Sequence, residues 1–544
     1  MQERWSALAC CVLATLLWIG PWILRQDLYY DDAAHHVWWL YQYADPSLFP
    51  GDIAVAYFKT SATWGYRAIY WALAPWVDPQ VGAEALAALL LLGCCVLAWR
   101  TAIHATPSAP QAAGLLALVA LAAMLVLSQA KDLLPPIAFQ RTFSLPLLML
   151  TCWALVCRRY LWVGGSWLAA ALLYPVVLPV QGIAAAVVFL RDLVAERRMP
   201  PHWVPNLVMG VVALAIAAAG IPVPPEVGPA YSYTEAMQMP EFGPGGRLRM
   251  YEVGGWLANL MSGHRGGFGW TLKSLALIGA ATAVAVLLGR ARRIPLAAWA
   301  MGAAGVLLFV AMRLFPAQLM FALYLPNRHP KWALAVFAIS ALTAAGIALL
   351  ARASSAADGT LTDGQRRTVA LAAPALVAAL LLPTAVHAWQ QPVNADLERV
   401  YAYLKQLPND ALVAAHPDLG DAIPVRTQHS VLTSTEISMA WMKNYYAVMK
   451  PRVEDSLRAA YATRVEDFDA AMARHGVDVF VTGPEPWATG DYVEPFRGLD
   501  RELKARGREQ GFALREPPAD RILFRSGPYY VLRTASCKPA ACRP

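Results

Sequence analysis

Four residues near the start of the chain have the types and spacing of a chemical site. They are Asp31, Asp32, His35 and His36, within "DLYYDDAAHHVWWLYQYADPSLFPGD" at 27–52. A helix beginning near Asp31 sets Asp31 one turn from His35, and Asp32 one turn from His36. One carboxylate can cap such a helix by accepting a backbone N–H. Two adjacent carboxylates repel, and a cap needs only one, so the spare is available as a general base or a cation ligand. The imidazoles can orient that carboxylate, bind a phosphate or join a metal site. Adjacent histidines face different sides of a helix, so they are not expected to share one ion. Asp45 and Asp52, around "PSLFPG", read as turn residues. Trp38, Trp39, Tyr41 and Tyr43 read as an aromatic belt at a membrane surface.

The other half of the constellation is basic. Arg141 follows Pro135 and Pro136, Arg247 and Arg249 follow "GPGG", and Arg328, His329 and Lys331 follow "LYLPN". An arginine forks onto phosphate oxygens and a lysine supplies a point charge, so Arg328, Lys331, Arg141 and Arg247 are candidate phosphate contacts. Snorkelling to lipid headgroups accounts for each of them singly. Glu235 and Glu241 are candidate acceptor or partner carboxylates, with loop salt bridges as the plainer role.

The elements that must position these residues are membrane helices. The chain is 58% hydrophobic and 15% charged, with a mean hydropathy of +0.40, against about 45–50% apolar and 25% charged for a soluble domain. Apolar windows recur from Trp5 to Trp389 and predict a polytopic α-helical membrane protein. Eleven spans are expected, at 5–24, 81–99, 112–130, 145–157, 160–175, 176–190, 203–221, 271–289, 295–312, 332–350 and 368–388. Pro175 and Pro179 predict a kinked hairpin where the windows are short, and 61–77 reads as an amphipathic helix at the interface. The loops on the N-terminal side are short and dense in arginine (Arg100, Arg158, Arg159, Arg191, Arg290 and Arg352 among them), which puts the N-terminus in the cytoplasm. The first segment reads as an uncleaved anchor. With an odd number of spans, the acidic pair, the basic loops and everything after Trp389 fall together on the outer face.

From residue 390 to 544 the pattern becomes that of one extracytoplasmic α/β domain, distinct from the membrane domain at 1–389. "NADLERVYAYLKQL" has helical spacing and "DALVAAHP" reads as a strand. "VEDFDAAMARHGVDVFVTG" reads as helix, Gly turn and buried strand, and "RILFRSGPYYVLRT" as a hairpin. His416, His429 and His475 read as surface or capping residues. Cys537 and Cys542 suit either a disulfide or two free thiols outside the membrane. No cofactor is fixed by the sequence, and a divalent metal stays open.

The layout resembles the GT-C superfamily of integral-membrane glycosyltransferases. The resemblance rests on "YYDDAAHH" at 29–36, the eleven-span plan, "LYLPNRHPK" at 323–331 and the α/β tail. It implies inverting transfer of a sugar from a polyprenyl-phosphate carrier to an acceptor (protein, lipid or glycan) on the outer side of a bacterial cytoplasmic membrane. It further implies that Asp31 or Asp32 deprotonates or orients the acceptor hydroxyl, and that Arg328 and Lys331 steady the departing phosphate. Arg141 and Arg247 would join that phosphate site, with His35, His36, His329 and Glu241 in support. The adjacent histidines depart from the family pattern. A transporter or flippase of a lipid-linked or polar substrate would place ionisable residues inside the spans, and these windows hold almost none. A non-catalytic scaffold would not need the acidic pair. Nucleic acid is not an expected partner; membrane lipids are.

Overall fold

A computed structural model describes residues 2–25, 31–127, 133–261, 264–353, 361–484 and 490–542, with the backbone alone at Asp31, Ala33 and Ala34. Among the described residues, six helices are long and apolar enough to cross a membrane: Pro79–Ala105, Pro110–Leu127, Pro175–Glu196, Leu296–Leu314, Arg328–Ala353 and Asp363–Trp389. The chain is an integral membrane protein. Shorter apolar helices at Tyr160–Leu173, Trp203–Ala219 and Leu272–Leu287, with Gln2–Trp18 and Ser144–Val156, occupy the remaining apolar windows. Pro175 and Pro179 lie where the predicted hairpin breaks, in a 3-10 turn Pro175–Val177 leading into the helix from Leu178. Proline cannot donate a backbone N–H, so the helical ladder is interrupted there.

The helix Arg328–Ala353 is the central post. Its contact faces are alanine-rich, with Ala333, Ala335, Ala338, Ala341 and Ala344 all buried. Small residues let neighbouring backbones approach closely. A Cβ placed on Gly305 of the adjoining helix would come within 2.8 Å of the His329 carbonyl and 2.7 Å of Ala333 Cβ. This packing fixes the height at which Arg328 emerges.

Two indoles hold the loop that leads to Arg141. Trp18 Nε1 donates to the Leu134 carbonyl at 2.9 Å, and Trp332 Nε1 to that of Leu133 at 3.1 Å. Further along, the Ala138 N–H donates to the Ala83 carbonyl at 2.9 Å, and the Tyr70 hydroxyl donates to the Ala138 carbonyl at 2.8 Å. A buried loop needs such partners for its backbone groups.

Of the aromatic belt expected at Trp38, Trp39, Tyr41 and Tyr43, three rings lie in the interior and Tyr43 is half-buried. Trp38, Trp39 and Tyr41 are buried, and Trp38 packs edge-on to Phe49 at 4.7 Å. Aromatic composition alone does not distinguish a ring facing lipid from one facing protein. The helix at Trp64–Leu73 does show the amphipathic division read from the sequence, with Tyr66 and Tyr70 buried and Trp64 and Trp71 exposed.

The C-terminal region carries a five-stranded sheet: β1 Leu412–Ala415, β2 Ser430–Val431, β3 Val479–Thr482, β4 Ile522–Ser526 and β5 Tyr529–Arg533. The order is β2-β1-β3-β5-β4; β1 runs parallel to β2 and β3, and β5 is antiparallel to β3 and β4. The elements read from the sequence appear here. Asn394 caps Ala395–Leu404 through the Leu397 N–H, and Gly476, at φ +63°, makes the turn between Val465–Ala473 and β3. Positive φ is costly for any residue with a Cβ, which is why glycine stands there. Cys537 and Cys542 are joined in a disulfide.

This sheet domain is seated on the segments that carry Tyr57, Tyr231 and Glu235. Tyr57 and Tyr445 stack at 4.3 Å, Tyr231 N–H donates to the Trp441 carbonyl at 3.0 Å, and Lys443 pairs with Glu235 at 2.6 Å.

Replacing Trp332 with Phe keeps the ring's bulk but leaves the Leu133 carbonyl without its donor. The expected loss is about 1–3 kcal/mol of stability, the cost of an unsatisfied buried polar group, read as a lowered Tm in detergent. An unchanged Tm would show that water or another donor replaces the indole.

Candidate functional site

The segment after the first apolar helix forms a helix at Asp31–Val37, continued by a 3-10 turn at Trp38–Tyr43. Tyr29 and Tyr30 lie outside the described residues, as does the side chain of Asp31. Asp52 caps the next helix through the Ala54 N–H, and Asp45 accepts from Ser47 N–H, so both are turn residues.

Asp32 forms an ion pair with Arg141, whose guanidinium lies over the Phe139 ring at 4.7 Å. His36 stacks on the other part of this cluster, 5.2 Å from Phe139 and nearly parallel to it. The Tyr66 hydroxyl donates to the His36 carbonyl at 3.1 Å, tying the end of the helix down. Burial works to raise the Asp32 pKa, but Arg141, His36 and Arg328 together hold it far below the ordinary carboxylate range. Burial lowers the His36 pKa to about 4, so its imidazole is neutral at pH 7. A carboxylate so depressed is ionised under all ordinary conditions and is a weak base. It is well suited to accept a hydrogen bond and to orient a hydroxyl.

Arg328 opens the central helix beside this pair. Its Nε and Nη1 are buried and hydrogen-bond to none of the described residues. The helix N-terminus adds the positive end of its dipole at the same place. Ahead of it, Phe321 and Tyr324 both adopt positive φ, at 69° and 73°, in a turn closed by His329 Nε2 against the Leu323 carbonyl at 3.0 Å. Non-glycine residues in that region carry strain of about 1–3 kcal/mol each. His329 therefore braces the turn. Lys331 is buried a turn further into the helix.

Arg265, in the loop "GHRGGFGW", is a site residue not singled out from the sequence. Burial is the main cause that lowers its pKa to about 10, and Arg247 and Arg328 lower it further, while Tyr324 and Asp32 oppose them. The backbone here is tightly fitted: Arg265 N–H donates to the Arg249 carbonyl at 3.2 Å, and a Cβ on Gly266 would run into the Met250 carbonyl. A glycine beside an arginine in a loop between apolar helices was the signal available. Arg141, Arg265 and Arg328 thus gather around Asp32 as their shared carboxylate among the described residues. Such a group calls for an anion.

Arg247 and Glu241 sit on the seam with the sheet domain. Arg247 pairs with Glu436, and Glu241 accepts from the Tyr446 hydroxyl at 2.6 Å with its second oxygen buried and unpartnered. Arg249 pairs with Glu252 at 2.7 Å. His35, on the other side of the helix from His36, is buried and turned toward this seam. In the sheet domain, His416 accepts from the Asp418 N–H as a cap and touches the Tyr461 hydroxyl, and His475 lies 2.9 Å from Asp455. His429 is buried rather than at the surface, held between the Thr427 and Leu407 carbonyls.

No family model and no curated protein matches the sequence. The fold, however, is similar to that of ArnT from Cupriavidus metallidurans in its apo state. The two share 14% identity and a TM-score of 0.54, over 98% of this chain and 99% of that one. The apo oligosaccharyltransferase of Archaeoglobus fulgidus also aligns, at 13% identity and a TM-score of 0.43, over 89% of this chain and 70% of its own. The GT-C likeness suggested by the sequence is shown, at the level of fold, by the first of these.

His264 gives the site a pH dependence. It is buried, its Nδ1 accepts from the Gly266 N–H at 3.2 Å, and its pKa is lowered to about 4, mainly by burial. A depressed folded pKa means that the stability it contributes is complete above about 6.5 and is lost as pH falls toward 4. The expected slope is about 1.4 kcal/mol per pH unit for the one proton. Unfolding of the wild type and of His264→Gln between pH 7 and 4.5 should show the variant's stability falling less steeply. Parallel curves would remove His264 as the cause.

Proposed function

We propose that the protein is a glycosyltransferase that moves a sugar from a polyprenyl-phosphate carrier to an acceptor on the extracytoplasmic face. The observation that carries this reading is Arg328, a guanidinium at a helix N-terminus beside the Asp32–Arg141 pair, with two buried nitrogens that hydrogen-bond to none of the described residues. The GT-C-like fold supports it.

In this reading the chain divides into a membrane domain, residues 1–389, and an extracytoplasmic α/β domain, residues 390–544. The N-terminus is cytoplasmic, and eleven crossings put the sheet domain outside. A disulfide at Cys537–Cys542 suits that oxidising side.

The reaction breaks the bond between the anomeric carbon and the phosphate oxygen and forms one to the acceptor oxygen, with inversion. Charge builds on the departing phosphate, so cations on that side lower the barrier. Arg328 and Arg265, with Arg141 behind them, are placed for this role, and Arg328 can fork onto two oxygens. Lys331 and Arg247 would act at longer range. The acceptor hydroxyl approaches from the opposite side, oriented by Asp32, with Asp31 available to take its proton. His36 and Phe139 keep Arg141 and Asp32 in register, while His35, His329 and Glu241 brace the surrounding elements.

With a panel of polyprenyl-phosphate sugars, Asp32→Asn should lower turnover by about 10²-fold or more, the scale of a lost acid–base or orienting group. Arg328→Gln should weaken donor binding by about tenfold, the loss of one or two charge-assisted hydrogen bonds. A well-folded Arg328→Gln with unchanged donor affinity would return that residue to lipid snorkelling. A reporter fused after Trp389 should read as extracytoplasmic. A cytoplasmic signal would scatter the site over both faces and end the reading.

A further inference from the structure

The Asp31–Val37 helix also meets the sheet domain, and His35 is the residue that reaches it. A ring nitrogen of His35 and one carboxylate oxygen each from Asp421 and Glu436 all lie within 4.8 Å of one another. His35 is 4% exposed, and its ring hydrogen-bonds to none of the described residues. It is turned toward two carboxylates brought there by separate loops.

Those loops are fixed from within the sheet domain. Asp421 follows the short helix Pro417–Gly420 after β1, and Glu436 follows β2, so both stand beyond the carboxyl ends of the parallel pair. Ligands collect at that end of parallel strands. The Glu436 N–H donates to Asp421 Oδ1 at 2.9 Å, which holds the two acids side by side. Arg247 takes one share of the Glu436 charge through its ion pair. A carboxylate has lone pairs on two oxygens and can serve a guanidinium and a cation together.

We propose that His35, Asp421 and Glu436 form a binding site for one divalent transition-metal ion that clamps the first external loop to the C-terminal domain. One imidazole and two carboxylates are the donor set of zinc, manganese or cobalt; magnesium and calcium take oxygen ligands and gain little from the imidazole. Bonds of about 2.0–2.2 Å require the three ligand atoms to draw in by about 1 Å, with water completing the shell. The site is independent of the sugar-transfer reading. The ion would sit between the helix and the sheet domain, where it orders the loop.

The test uses the purified full-length protein, stripped with chelator and titrated with cobalt(II), followed by calorimetry and visible absorption. The expected result is saturable binding of one ion per chain, with ligand-field bands and no thiolate charge-transfer band. His35→Gln and Glu436→Gln should each weaken binding by about tenfold or more, as removal of a direct ligand does. His475→Gln, at the separate Asp455 pair, should leave it unchanged. Absence of saturable binding in the wild type would overturn the proposal, as would a thiolate band or equal affinity in both ligand variants. If the variants do not fold, the wild-type stoichiometry and spectrum still decide, because the cysteines are the competing donors and their band is distinctive.

Discussion

A carboxylate and a guanidinium meeting at the outer edge of the helix bundle, Asp32 and Arg141, set the terms for the rest of the molecule. Arg141 is almost fully covered and Asp32 is partly so. Removing charges from water is expensive, and the pair is tolerable only because each compensates the other. Deleting one partner of such a pair costs about 3–5 kcal/mol, mostly from the charge left behind. The surroundings make sense as a support for this contact. The indoles of Trp18 and Trp332 and the hydroxyl of Tyr70 carry the loop that delivers Arg141, and Phe139 fills the space between Arg141 and His36.

Once that pair is neutral, the arginines around it are in excess. Arg265 and Arg328 are close enough to disturb one another, and Arg247 adds to the effect. Proteins rarely bring like charges together under cover unless a counter-charge arrives from elsewhere. Lipid-linked phosphate at a membrane surface is such a counter-charge, and a low local dielectric makes the attraction stronger than it would be in water. The same arrangement would hold a substrate's phosphate before reaction and the free carrier phosphate after it, so product release becomes a natural candidate for the slow step.

The membrane windows were legible in the sequence because hydrocarbon permits only one kind of open-ended segment, the helix with all its backbone bonds internal. The sheet domain was legible where local chemistry decides: Asn394 as a cap, Gly476 at positive φ, and the alternation around Gly527 and Pro528 in the β4–β5 hairpin. The contacts that build the site are another matter. Arg247 with Glu436, His35 with Asp421, and Arg265 with Arg328 join residues far apart in the chain, and no local pattern encodes a partner at such a distance. Trp38 and Trp39 show the same limit from the other direction. Their composition suited lipid contact, yet Trp38 packs against Phe49 and Phe58, and Trp39 against Tyr43, in the interior.

The way the sheet domain rests on the first loops has a consequence for how the protein comes into being. Tyr57 waits for Tyr445, and His35 for Asp421 and Glu436. A ribosome delivers these partners only after the membrane helices have been made. Contacts between such distant parts of a chain form late in folding. Until then the acidic helix and its arginines lie open at the membrane surface, with the surrounding walls incomplete. A chain interrupted before Asp421 would carry every membrane helix and still lack the seam that encloses the charges. Completion of synthesis is thereby built into the architecture as a condition for a finished site.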